Sequence, residues 1–167
     1  MIKLSSIAQL PNVPSVYAMF GGENRRSYVA YVGMAGKLKQ RVTQHLVRRD
    51  SSVATGASAV TLNPDYITEV RWWEHSDFAQ RHVLEAAELV AFDILDPALR
   101  SRGAIQDKAK QLYENEEFRK QMRSLFQGEP SGCLSIPTLR EALKRISALE
   151  KRLAEMEKRL ERMGMRD

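Results

Sequence analysis

Apolar and polar positions fall along the chain in blocks that predict its elements. Residues 14–20 (Ser-Val-Tyr-Ala-Met-Phe after Pro14) and 27–33 (Ser-Tyr-Val-Ala-Tyr-Val-Gly) read as two strands. Gly21-Gly22-Glu23-Asn24 between them reads as a turn, which makes the pair a hairpin. Leu38, Val42 and Leu46, four residues apart, predict a helix over 36–48. Residues 50–65 are rich in Ser, Thr, Gly and Asn and read as a long loop, a feature often functional in compact domains. A third strand is expected over 66–74, where at least one of Trp72 and Trp73 should face the core and the other the surface. Ser76 is expected to cap a helix over 77–95 that Pro97 prevents from continuing. A further helix follows over 104–126, then a linker over 128–137 with two prolines and two glycines, then a last helix from Thr138 to Met163.

The order β-β-α-β-α followed by helices predicts an α+β fold, a small antiparallel sheet flanked by helices with a helical C-terminal part ending in a coiled coil. The expected divisions are 1–103, 104–132 and 133–167. The last helix carries the most regular pattern. Leu139, Ile146, Leu153 and Leu160 take heptad position a, and Ala142, Leu149, Met156 and Met163 take position d. This seam is narrower than the apolar stripe of a helix folded back on its own domain. Arg145, Arg152 and Arg159 fall at g, and Glu150 and Glu157 at e. In a parallel pair g meets the following e of the partner, so Arg145 faces Glu150 and Arg152 faces Glu157. In an antiparallel pair like charges meet. A parallel homodimer through 139–163 is therefore expected.

Charge changes this picture more than composition does. The first fifty of 167 residues hold eight Lys/Arg against two Asp/Glu, residues 51–100 three against eight, and the remainder fifteen against eleven. The early basic excess, around Lys37, Lys39, Arg41, Arg48 and Arg49, suits a polyanion partner. A solvated basic surface fits the same charges. No apolar run approaches the ~20 residues of a membrane-spanning helix. Met1 to Pro11 lacks the layout of a secretory signal. The lone cysteine, Cys133, excludes an internal disulfide and a thiolate-rich zinc site, so a reducing, cytoplasmic location is expected.

Candidate chemistry is confined to a few residues. Arg41 and His45, four apart, project from one helix face beside the Leu38/Val42/Leu46 stripe. Glu88 has Leu84, Ala91 and Phe92 as its helical neighbours, and a carboxylate in such a stripe is costly unless paired or bound to a metal. Glu85 has Arg81 four residues before it, which a surface ion pair explains. Taken singly, Tyr17 and Tyr31 read as sheet aromatics, Arg41 as a solvated charge and His45 as a structural histidine.

Together they resemble a family. Ser15-Val16-Tyr17 and Tyr31-Val32-Gly33 resemble the two tripeptides that name the GIY-YIG nucleases, with Ser15 where glycine is usual. The stretch from Tyr31 to Arg41 is similar to the corresponding segment of bacterial excision-repair nucleases, with the arginine ten residues after the tyrosine. His45 stands where phage homing endonucleases of the family place a histidine. Glu88 precedes Pro97 by nine residues, the spacing of the excision-repair glutamate, and Arg100 stands where an asparagine is usual. The resemblance covers about residues 14 to 100.

It implies a DNA endonuclease dependent on Mg²⁺, with Mn²⁺ a substitute, and with Tyr17, Tyr31, Arg41, His45 and Glu88 as the catalytic set. Glu88 would ligate the metal. One carboxylate is enough when waters and substrate phosphate complete the octahedron. Arg41 would clamp a non-bridging oxygen, Tyr17 or His45 would take the proton of the attacking water, and Tyr31 would place water or phosphate. Lys37, Lys39, Arg48 and Arg49 would bind the nucleic-acid backbone. Two other readings remain: a nucleic-acid-binding module with a degenerate site, and a scaffold whose working part is the coiled coil.

Overall fold

A computed structural model describes residues 1–23, 26–48, 63–100, 104–137 and 139–162. The expected 50–65 loop, apart from its last residues, lies outside them, as do Asn24 of the expected hairpin turn, Arg49 and Met163. Six strands are described: β1 (Ile2–Leu4), β2 (Ser15–Glu23), β3 (Arg26–Ala35), β4 (Ile67–Trp73), β5 (Leu99–Arg100) and β6 (Gly132–Ser135). The described helices are α1 (Leu38–Leu46), α2 (Arg81–Leu95), α3 (Asp107–Glu114), α4 (Glu116–Gln127) and α5 (Leu139–Arg162). The fold is α+β.

The strands form one sheet in the order β1-β6-β4-β2-β3-β5. β2 runs antiparallel to β3 and β4, and β6 antiparallel to β4. β1 pairs parallel to β6, and β5 parallel to β3. The sheet is thus mixed and six-stranded, not the small antiparallel one expected. The strands added at its edges have three and two residues, too few for an alternating pattern to show. Gly21 and Gly22 lie inside β2, paired with Tyr28 and Ser27, so they are not in the turn.

Both faces of the sheet are covered. Val16, Ala18, Val32 and Trp73 pack with α2, α3 and α4 through Val90, Ala91, Ala109, Phe118, Met122 and Phe126. Tyr17, Met19, Tyr31, Val70 and Trp72 pack on the other face with Leu38 and Val42 of α1. This is why both tryptophans are buried, at 0% and 3% exposure, where one was expected at the surface. Trp73 meets Phe126 edge to face at 5.6 Å.

The compact unit runs from Met1 to Ile136, so the divisions expected after 103 and 132 both fall inside it. The expected 128–137 linker contains β6. Its Gly132 sits opposite Trp72 because a Cβ there would come 2.0 Å from the indole. The glycine that reads as a linker signal is the residue that lets the strand cross the ring. The helix expected over 104–126 breaks at Asn115, whose side chain accepts from the backbone of Phe118 at 3.0 Å and starts α4. Nor does Ser76 cap a helix over 77–95: a 3-10 turn spans Ser76–Ala79, Gln80 is extended (ψ 119°), and α2 starts at Arg81.

The second unit, Pro137–Asp167, is described by α5, a single helix of 24 residues. Its apolar residues Leu143, Ile146, Leu149, Leu153, Met156 and Leu160 are each between 43% and 62% exposed. No helix among the described residues is long and apolar enough to cross a membrane.

Candidate functional site

The site begins with a pairing in the sheet. Tyr17 of β2 lies opposite Gly33 of β3, and Tyr31, two residues before Gly33, points to the same face. The two hydroxyls converge over the glycine. A Cβ at position 33 would lie 2.7 Å from Tyr31 Cε1, 2.8 Å from its hydroxyl and 2.9 Å from that of Tyr17. No side chain fits there without moving a tyrosine.

Helix α1 supplies the next two groups. Leu38 and Val42 anchor it in the core, and the same face carries His45, only 1% exposed. The Tyr17 hydroxyl and His45 Nε2 share a hydrogen bond of 2.9 Å. Nδ1 has no hydrogen-bond partner among the described residues, and the tautomer sets whether Nε2 accepts from Tyr17 or donates to it. Tyr31 and His45 stack at a tilt with centroids 5.2 Å apart, and Tyr17 lies about 6 Å from each. One turn earlier the Arg41 guanidinium faces both hydroxyls and donates to Gln44 Oε1 at 3.4 Å.

The electrostatics follow from burial. Tyr17 is held well above the ordinary phenol value by burial and then by Tyr31, with Arg41 opposing. Tyr31 is raised by burial and then by the charge of Glu88, again against Arg41. His45 is lowered to about 4 by burial and then by Arg41, so it is neutral at neutral pH. Glu88, on α2 and 6% exposed, is therefore close enough for its charge to act on Tyr31.

Glu85 lies elsewhere. Its carboxylate accepts from Arg81 Nε at 2.8 Å and from the backbone N–H of Gln106 at 3.2 Å. It is 4% exposed, so this is a buried carboxylate and not the surface ion pair expected from the four-residue spacing. The segment leading into α3 covers it.

The basic residues divide. Lys37 is exposed and lines a cavity of about 420 Å³ with Gln40, Arg41 and Gln44. Lys39 Nζ donates to the Ala8 carbonyl at 2.7 Å, which ties it to the segment before β2. Arg48 is exposed beyond the end of α1, and Arg49 lies outside the described residues. Arg100 sits in β5 beside β3, 3.7 Å from Asp96 and over the Phe92 ring. Two features escape a reading of the sequence. Ser15 is fully buried and donates to the Val13 carbonyl at 3.1 Å, which its place at the start of a strand does not announce. Arg81 lines a second cavity with Arg41, and only the tertiary fold joins those two. Among the described residues, no three His, Cys, Asp or Glu side chains cluster as a metal cage. Compared with family models, with curated proteins and with solved structures, the chain finds no match in any of the three.

Proposed function

We propose that the chain is a divalent-metal-dependent endonuclease that hydrolyses DNA phosphodiester bonds. The observation that carries this reading is the 2.9 Å hydrogen bond between Tyr17 and a neutral His45, beside Arg41 and Glu88. A phenol held well above its ordinary value is a poor base alone. With the ring proton on Nδ1, His45 Nε2 offers it a lone pair, and the two groups form a relay. Tyr17 takes a proton from the attacking water as it passes its own to His45 Nε2. The water oxygen bonds to phosphorus, the bond to the leaving oxygen breaks, and that oxygen takes a proton from solvent. Arg41 offsets charge on a non-bridging oxygen. Glu88, a hard oxygen donor, fits Mg²⁺ or Mn²⁺, and such an ion lowers the cost of charge on the phosphate and leaving oxygen. The test is incubation of the purified protein with plasmid, flap, branched and mismatched DNA and with RNA, each with and without Mg²⁺. Metal-dependent cleavage of DNA is expected. DNA binding without cleavage of any substrate would favour a binding module instead, a reading that one observation supports: Tyr17 and Tyr31 are 0% and 1% exposed.

The seam of α5 and its flanking charges support a parallel homodimer through residues 139–163, and with it a coiled coil, as part of the same proposal. Cys133, free and buried, is compatible with a cytoplasmic location.

A further inference from the structure

We propose that the cavity shared by Arg41 and Arg81 is a nucleotide subsite. It holds the residue of the cleaved strand next to the scissile bond, with its backbone phosphate on Arg81. This rests on the endonuclease reading and deepens it. The cavity measures about 520 Å³, within the range of ~300–1,000 Å³ of sites for small ligands and ample for a nucleotide. Pro14, Met34, Phe78 and Leu84 give it an apolar wall for sugar and base, while Arg41 and Arg81 give it two guanidinium groups. Arg41 belongs both to this cavity and to the tyrosine cluster, so an occupant here lies directly beside the reacting groups.

Arg81 is built as an anchor. Its side chain is 70% exposed, yet Nε is held at 2.8 Å by a carboxylate that is itself 4% exposed. The second oxygen of that carboxylate is fixed by the Gln106 N–H. A carboxylate locked at both oxygens orients the guanidinium before any ligand arrives, and such pre-organisation reduces the ordering cost of binding. Neither Lys37 nor Arg48 has a comparable hydrogen-bond brace among the contacts described. Arg81 is a binding residue here, and Glu85 a positioning residue acting through it.

The test uses the full chain and thymidine 5′-monophosphate, with thymidine as control, titrated by NMR without metal so that cleavage plays no part. Loss of a charge-assisted phosphate contact should weaken binding of the phosphorylated probe by about tenfold or more in Arg81→Ala. The control should bind the wild type and the variant alike. Arg81→Gln, which keeps a donor for Glu85, should lose the phosphate preference too, and it serves if the alanine variant does not fold. Glu85→Gln should fall between wild type and Arg81→Ala. Equal affinity of wild type and both Arg81 variants for the phosphorylated probe would overturn the subsite, as would a wild type that binds neither ligand. Plasmid cleavage and its loss in Glu88→Gln judge the endonuclease reading separately, so either idea can fail without the other.

Discussion

Gly33 is the residue on which the geometry turns, because two tyrosine hydroxyls occupy the space a side chain would need. Gly33→Ala should therefore cost cleavage before it costs the fold. A displacement of about 1 Å in a catalytic group lowers rate by ~10²-fold, while overpacking costs about 1–3 kcal/mol. Melting and single-turnover cleavage of the same preparation check this, and an active, stable variant would show that the tyrosines do no chemistry. The two glutamates of α2 should separate by experiment. Glu88→Gln should lower cleavage by several orders of magnitude with the fold intact. Glu85→Gln loses a buried charge from a satisfied cluster and should destabilise by about 1–3 kcal/mol, with a far smaller loss in kcat. The reverse order would remove Glu88 from the site. His45 gives a pH signature. Its folded value of about 4 lies below the unfolded 6.5, so between those limits the unfolded chain holds more protons. Stability should be complete above pH 6.5 and decline toward pH 4, by roughly 3 kcal/mol from this group. Urea unfolding across that range should show the slope in the wild type and lack His45's share of it in His45→Phe.

At the scale of elements, the longer strands and helices were legible because they repeat a period. β2, β3, β4, α1 and α5 lie close to where alternation or four-residue spacing puts them. The short strands were not, since β1, β5 and β6 have three, two and four residues and owe their state to partners across the sheet. β6 carries the clearest lesson: Gly132 reads as a breaker, and it is a contact glycine under Trp72. Gly132→Ala should destabilise the unit by about 1–3 kcal/mol or more, visible as a lower urea midpoint; no change would mean that β6 is not held against Trp72. The start of α2 was misjudged for a local reason, since Gln80 turns extended after a 3-10 turn and makes Arg81 the first helical residue. Of the candidate site, the resemblance to a nuclease family put Tyr17, Tyr31, Arg41 and His45 on one list, and tertiary structure gathers them. Spacing also favoured Glu88 over Glu85 from the helix face. It could not show that Glu85 is buried, because the covering N–H comes from Gln106, twenty-one residues later.

At the scale of the whole molecule, the dimer proposal needs a truncation that spares the sheet. A cut at Gly132 would remove β6, so the chain should end at Ile136, where the compact unit ends. Sedimentation should give a dimer for the full chain and a folded monomer for residues 1–136. A full-length monomer at micromolar concentration would end the idea. An antiparallel helix pair would end only its orientation, which rests on exposed charge pairs worth under ~1 kcal/mol each. The pairing of β1 with β6 reaches further than architecture. It joins Ile2 to Gly132, and β6 also fills the place between β1 and β4. Contacts so distant along the chain are slow to form. During synthesis the strands bearing Tyr17, Tyr31 and Trp72 emerge well before the strand that closes over the indole. Cys133, the protein's one thiol, sits in that closing strand at 7% exposure. Its rate of reaction with a thiol reagent is a clock for the last step of sheet assembly, and in the native state for the local opening of that edge.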